Sequence, residues 1–360
     1  MNHRHHRNCP ELTRRDFLCS TFAGTALLAA PKPGQAPVVS VVRIKNGNIQ
    51  AAVEQAIDLL GGIKNLTRGK ERIMLKPNLV APVPNATTNR EVVAALAKLM
   101  KSAHRDVSIG EGSAAAGGFN ADGAGVFRTR NSGLLSRMQS HVFDQLGYTQ
   151  LGKDLRIPLV NLHSGDMAKV RVTGGFVYEE VTIHRALTEI DLLCSVPIMK
   201  THGLAQVTLG MKNLVGVFPG SEYCSVRACM HDVASKVEPS GAAACVVDMV
   251  RANKLGLVVI DASTAMEGQG PTQGKPVKMN LIIAGTSPVA TDMVGANLMG
   301  FAPEEVPTFA WANKARLNPT RLDEIEVRGE KIENVRQKFA RAQVLPWASI
   351  RNFWGVKEIS

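Results

Sequence analysis

The alternation of strand and helix signals in the first third of the chain restricts the fold more than any other feature. "VVSVVRI", residues 38–44, is rich in β-branched side chains and reads as a strand. "NGNIQAAVEQAIDLL", residues 46–60, has helical spacing and starts at an Asn cap, read at Asn46. "RIMLKPNLV" then reads as a buried strand over residues 73–75, stopped by Pro77. A second helix is expected over residues 91–102. A third strand, "DVSIGEGSA", ends in Gly110-Glu111-Gly112-Ser113. This β-α-β-α-β order predicts an α/β fold, mainly a parallel sheet with crossover helices. The rhythm returns as "EIDLLCSVPIMK" (strand), "GAAACVVDMVRANK" (helix), "LGLVVIDAS" (strand ending at Asp261) and "VKMNLIIAGTS" (strand). "SPVATDMVGANLMG" closes the series as a helix with Pro288 at its first position. The Gly- and Ala-rich residues 114–135 are expected to form a long loop with a helix beyond it. With 360 residues, 45% hydrophobic, the chain can bury a full core. The expected architecture is two lobes around a cleft, with a main domain over residues 37–315 and a basic extension over residues 316–360.

Ligands of open α/β sheets bind beyond the carboxyl ends of the strands. Four polar clusters fall at such expected ends: Lys76-Pro77-Asn78, Glu111 with Ser113, Lys200-Thr201-His202, and Asp261 with Glu267. One composite site is expected from this coincidence. The stretch "PIMKTHGLAQVTLGMKNLVGVFPG", residues 197–220, is its centre, because it carries Lys200, His202, Lys212 and Asn213 among apolar and small residues. A lone buried ammonium is costly without a partner or a ligand. Lys200 and Lys212 are therefore candidates to hold a carboxylate or phosphate, and His202 to move a proton. The opposing structural reading is two lysines snorkelling from an amphipathic helix. Lys76, Asn78, Thr201, Asn213, Glu111, Ser113 and His231 are candidates for substrate contacts. Glycines beside Glu111 let backbone N–H groups approach a ligand. Asp261, Glu267 and Asp292 can hold a divalent metal, or can pair with the lysines instead.

The N-terminal residues follow a different logic. Thr13-Arg14-Arg15-Asp16-Phe17-Leu18 precedes a short, weakly apolar run and then small residues. This resembles a twin-arginine (Tat) signal peptide, placed with its linker at residues 1–36. It implies the Tat translocon as a partner, a periplasmic or otherwise extracytoplasmic destination, and no stable membrane span after cleavage. The net charge of +11 falls to about +9 without residues 1–30. With aromatics at 5% and no long basic run, nucleic acid is not the expected partner. Cys194, Cys224, Cys229 and Cys245 remain after the signal, and none forms a Cys-x-x-Cys pair or an iron–sulfur run. An exported chain can join Cys224 to Cys229 or to Cys245. Gly-x-Ser-x-Gly, His-Glu-x-x-His and Walker A sequences are missing, which argues against serine hydrolase, zinc protease and P-loop chemistry.

"LKPNLV", the 197–220 stretch, His231, "VVIDASTAMEGQGPTQG" and "PVATDMVGANLMG" together resemble the DUF362 family over most of residues 38–310. The pairing of Lys-Thr-His with Lys-Asn-x-x-Gly is the most specific part of that resemblance. Some family members carry ferredoxin-type cysteine clusters next to this domain; this chain lacks that cysteine run. A remoter, fold-level similarity links it to two-lobed α/β proteins of the lactate-racemase type. The expected function is an exported enzyme acting on a small anionic substrate by Lys/His proton-transfer or redox chemistry. The alternative is a non-catalytic envelope protein that captures an anionic solute or a metal.

Overall fold

A computed structural model describes residues 36–343 and 346–349. The twin-arginine stretch lies outside the described residues. Eleven strands join one sheet. In chain order they are β1 (Val38–Arg43), β2 (Arg72–Pro77), β3 (Asp106–Glu111), β4 (Leu159–Asn161), β5 (Leu192–Val196) and β6 (Ile198–His202). They continue as β7 (Gln206–Thr208), β8 (Leu255–Glu267), β9 (Lys275–Val277), β10 (Leu281–Gly285) and β11 (Glu326–Gly329). The main path runs β11-β1-β10-β8-β5-β2-β3-β4. On it only β10 opposes the rest, pairing antiparallel with both β1 and β8. β8 reaches β10 without a crossover helix, so the two must run in opposite directions. The expected mainly parallel α/β sheet is therefore present. Among the described residues, two further antiparallel pairs, Ala121–Asp122 with Gly125–Val126 and Met167–Arg171 with Glu180–His184, stand apart from this sheet.

Both faces of the sheet are covered, which is why its strands read as continuous apolar runs. Ile73, Leu75, Leu192, Cys194, Val259 and Ile282 face one core, packed by α1 (Ile49–Leu59), α2 (Arg90–Ser102) and α3 (Ser132–Gln145). Met74, Leu193, Val258 and Ile283 face the other, packed by α4 (Gly241–Ala252) and α5 (Pro288–Leu298). The alternation follows from the two-residue period of a strand. α1 is capped by Asn48, whose side chain accepts from Ala51 N. The cap lies two residues beyond Asn46, which instead turns the chain with φ 52°. Ser287 caps α5 with Pro288 behind it, as the sequence predicts.

Two expectations needed adjustment. "EIDLLCSVPIMK" is broken at Pro197, which has no N–H for the ladder, so β5 and β6 are separate strands. Both pair in parallel with β8, which is long enough, at 13 residues, to serve both. Asp261 consequently lies inside β8, opposite Ile198, and is not at a strand end. Residues after 315 are also part of the globule: β11 pairs in parallel with β1, and Val335 and Phe339 are buried in the core. No helix among the described residues is long and apolar enough to cross a membrane.

Candidate functional site

A cavity of about 70 Å³ opens beyond the carboxyl ends of β2, β3 and β6. Its lining includes Lys76, Asn78, Glu111, Lys200, His202, Lys212, Asn213 and Arg227. Three of the four polar clusters expected to converge do so. Lys76 and Lys200 are among the largest fully buried side chains, at 0% and 1% exposure. Such ammonium groups persist only with partners, and each has three. Lys76 Nζ donates to Glu111 Oε1 at 2.8 Å, Pro77 O at 3.0 Å and Asn213 Oδ1 at 3.1 Å. Lys200 Nζ donates to Ala86 O at 2.7 Å, Asn78 Oδ1 at 2.8 Å and Pro271 O at 3.0 Å. Asn78 Nδ2 donates to Asn213 Oδ1 at 3.0 Å and joins the two lysines. A continuous chain thus runs Glu111–Lys76–Asn213–Asn78–Lys200. Asn213 is itself fixed by donating to Lys76 O and Ser195 Oγ.

Gly112 of the Gly-Glu-Gly-Ser turn lines the cavity, and its missing side chain also serves packing. A Cβ on Gly112 would lie 2.7 Å from Gly216 O, and one on Gly216 would lie 2.7 Å from Lys76 Nζ. These contacts bring the turn against the 3-10 helix Lys212–Val217. Arg227, which the sequence reading passed over, ties the same two segments. Its guanidinium donates to Gly112 O, to Ser113 O at 3.1 Å, to Val215 O at 3.2 Å and to Gly216 O at 2.9 Å. The one signal that could have marked Arg227 is its position between Cys224 and Cys229, which form a disulfide.

Three polar groups in the lining remain available to a ligand. Lys212 Nζ has neither an acceptor nor an acidic partner among the described residues. Thr208 Oγ1, opposite Lys200 in the β6–β7 ladder, is buried without a partner; the sequence reading missed it. His202 Nδ1 accepts from Leu204 N at 3.0 Å, which places the ring proton on Nε2 as a free donor. The electrostatics are one-sided: Lys76, Lys200, Lys212 and Arg227 face the single carboxylate of Glu111. Burial, then the neighbouring Lys212, pulls Lys200 down to about 7. Burial, then Arg227 and Lys76, pulls Lys212 down to about 8. Burial lowers Lys76 as well, against the attraction of Glu111. His202 is held well below its ordinary value by burial and by Lys212 and Lys200. The ring is therefore neutral at neutral pH.

The other expected site residues lie outside the cavity lining. Thr201 Oγ1 donates to Gly268 O at 2.7 Å. Ser113 contributes backbone: its carbonyl accepts from His163 Nε2 and from Arg227. His231 is buried and stacks on Trp347 with ring centroids 4.5 Å apart. Asp261, Glu267 and Asp292 do not converge, because each carboxylate is used to hold a different piece of backbone. Asp261 accepts from Asn89 N and Ser263 N, and Glu267 from Ala340 N. Asp292 accepts from Gly210 N at 2.7 Å and Met211 N at 2.8 Å, and so fixes the residues that precede Lys212. Burial raises Asp292 to about 7. Among the described residues no group of three His, Cys, Asp or Glu side chains could hold a metal ion. A wider depression of about 420 Å³ elsewhere is lined by Asn46, Asn89, Thr264 and Lys278, among others. It holds a single charged side chain, so the smaller cavity with its convergent cations is the candidate site.

Residues 73–297 match the family described as Domain of unknown function (DUF362). The chain belongs to the DUF362 family. That span runs from the start of β2 into α5 and includes the entire lysine network. A thylakoid-associated protein of Synechocystis sp. is 28% identical over 288 residues, covering 78% of this chain and 80% of that protein. Among solved structures, the lactate racemase apoprotein of Thermoanaerobacterium thermosaccharolyticum aligns at TM-score 0.41 and 16% identity, covering 75% of this chain and 58% of that one. A Thermotoga maritima protein aligns at TM-score 0.38 and 12% identity, covering 68% and 56%. The chain thus spans a little over half the length of these structures.

Proposed function

We propose that this DUF362 protein is an enzyme that binds a small oxyanion, a carboxylate or a phosphate, in the lysine cavity. In this reading His202 and Lys212 carry a proton to or from the bound molecule. The observation that carries the proposal is Lys212, an ammonium without a partner among the described residues, in a cavity that already holds three further cations and one acid. A fixed cluster of that sign in low dielectric favours an anion strongly. The groups at Lys212, Thr208 and His202 can each donate, which suits a ligand that only accepts. At about 70 Å³ the cavity has room for a few non-hydrogen atoms, far below the several hundred Å³ of sites for larger ligands. Lys200 is assigned to hold Asn78 and the loop at Pro271 in place, since its three N–H groups are all engaged. Lys212, lowered to about 8 and unengaged, is the lysine fitted to exchange a proton near neutral pH.

The test combines binding with isotope exchange. Calorimetric titration with acetate and with inorganic phosphate should show binding that Lys212→Met weakens. Incubating small carboxylic acids with the protein in heavy water should introduce deuterium next to the carboxylate, and His202→Gln should stop it. Binding without exchange, with full affinity in His202→Gln, would favour the second reading: non-catalytic capture of an anionic solute. The preformed network around Asn78 and Asn213 suits that reading equally. Export through the Tat translocon to an extracytoplasmic compartment is part of the proposal. The Cys224–Cys229 disulfide supports it, since disulfides persist where the surroundings oxidise.

A further inference from the structure

The disulfide and the anion cavity meet at one residue. Cys224 and Cys229 are five positions apart, and Arg227 lies between them. The backbone of this loop is unusual. Cys224, Val226 and Arg227 have φ of 60°, 49° and 57°, in the left-handed region that L side chains avoid, a β-branched valine most of all. Such a conformation persists only where the surroundings impose it. Local hydrogen bonds contribute: Ser225 N donates to Thr129 O, and Val226 N to Ala114 O at 3.2 Å. The covalent link closes the loop around them. The result is that a 2% exposed guanidinium enters the cavity wall and gathers four carbonyls from the Gly112–Ser113 turn and the 3-10 helix behind Lys212. Among the described residues, no other side chain bonds both of these segments through a comparable set of carbonyls.

We infer that the Cys224–Cys229 disulfide is a redox clip that holds Arg227 in the cavity wall, so that its reduction loosens the anion site. This rests on the anion-binding reading for its effect on ligands, but not for its effect on Arg227. Cys229 is half-buried and Cys224 is 6% exposed, so the bond lies just beneath the surface. A small dithiol would attack it by thiolate exchange: the S–S bond breaks, two thiols form, and the dithiol closes to its own disulfide. Arg227 is a positioning residue here. Once the loop relaxes, its carbonyl partners lose four charge-assisted bonds, and the walls bearing Glu111 and Lys212 are free to separate.

The experiment compares the folded oxidised chain, the same chain after dithiothreitol, and the Cys224→Ser/Cys229→Ser variant. Two quantities are measured: inorganic phosphate affinity by calorimetry, and backbone hydrogen exchange. Reduction is expected to speed exchange at residues 112–113 and 213–217 while the strands keep their protection, and to weaken phosphate binding about tenfold or more. Treating the folded protein with dithiothreitol keeps the test open should the double variant fail to fold. Unchanged exchange at both segments after confirmed reduction would overturn the clip, whatever the affinity. Faster exchange together with unchanged phosphate affinity would also overturn it, because the wall would have loosened without effect on the site. If the oxidised protein binds no phosphate at all, the anion reading fails, and exchange at the two segments alone decides whether the disulfide holds Arg227.

Discussion

Two lysines twelve residues apart should respond to the same substitution in opposite ways. Lys200→Met removes an ammonium that donates to Asn78 Oδ1, Ala86 O and Pro271 O, all buried or half-buried. Each buried acceptor left without a donor costs about 1–3 kcal/mol. Its acceptors are all neutral, and its own charge is disfavoured by burial, which lowers Lys200 to about 7, so relief of that charge offsets part of the loss and the net cost is about 1–3 kcal/mol. Lys212→Met removes an ammonium that donates to nothing among the described residues. The folded protein disfavours that charge, since burial with Arg227 and Lys76 nearby lowers it from 10.5 to about 8. At about 1.4 kcal/mol per pH unit this is an upper bound of about 3 kcal/mol at neutral pH, reduced by water in the cavity. Lys212→Met should therefore be neutral, or stabilise by about 1–2 kcal/mol, while losing a charge-assisted bond to the anion. That loss, about 1.5–3 kcal/mol, is a tenfold to hundredfold drop in phosphate affinity. Urea unfolding gives the stabilities, and calorimetry below pH 7 gives the affinities. A Lys212→Met protein destabilised as strongly as Lys200→Met, with its phosphate affinity intact, would refute the division of labour between the two residues.

Three further outcomes follow from the same geometry. Anion affinity should be highest below pH 7 and decline as pH rises through about 7 to 8, because the lowered lysines, Lys200 and Lys212, lose their protons there; phosphate-independent probes such as acetate separate this from titration of the ligand. Gly216→Ala should lower stability by about 1–3 kcal/mol in thermal unfolding, since the new methyl would press on Lys76 Nζ at 2.7 Å. Asp292 has a folded-state value raised from 3.8 to about 7. Its contribution to stability is accordingly complete below about pH 4 and is lost as pH rises to about 7. Asp292→Asn should flatten that slope and also cost about 1–2 kcal/mol, because one of the N–H groups of Gly210 and Met211 loses its acceptor. A stability profile unchanged by the substitution would show that Asp292 does not titrate in this range.

The order of strands and helices was legible from the chain alone. β-branched runs, a Pro at the first turn of α5 and the returning β-α rhythm are local signals, and local sterics produce the elements they predict. The convergence of Lys76, Glu111, Lys200 and Lys212 was legible for a related reason: parallel strands place all their carboxyl ends on one edge. Which lysine is engaged and which is free was not legible. Lys200 and Lys212 stand in equally apolar sequence, and only the folded chain brings Asn78, Ala86 and Pro271 to the first and, among the described residues, no acceptor to the second. The acids show the same limit. Asp261, Glu267 and Asp292 read as possible metal ligands, but each is satisfied by backbone N–H groups far away in sequence. Arg227 was hidden for the converse reason: its partners are main-chain carbonyls, which every residue type possesses and no sequence displays. The sequence alone determines where charge must be buried; the tertiary structure alone decides what each charge meets, because those partners are set by distances in space and not by neighbours along the chain.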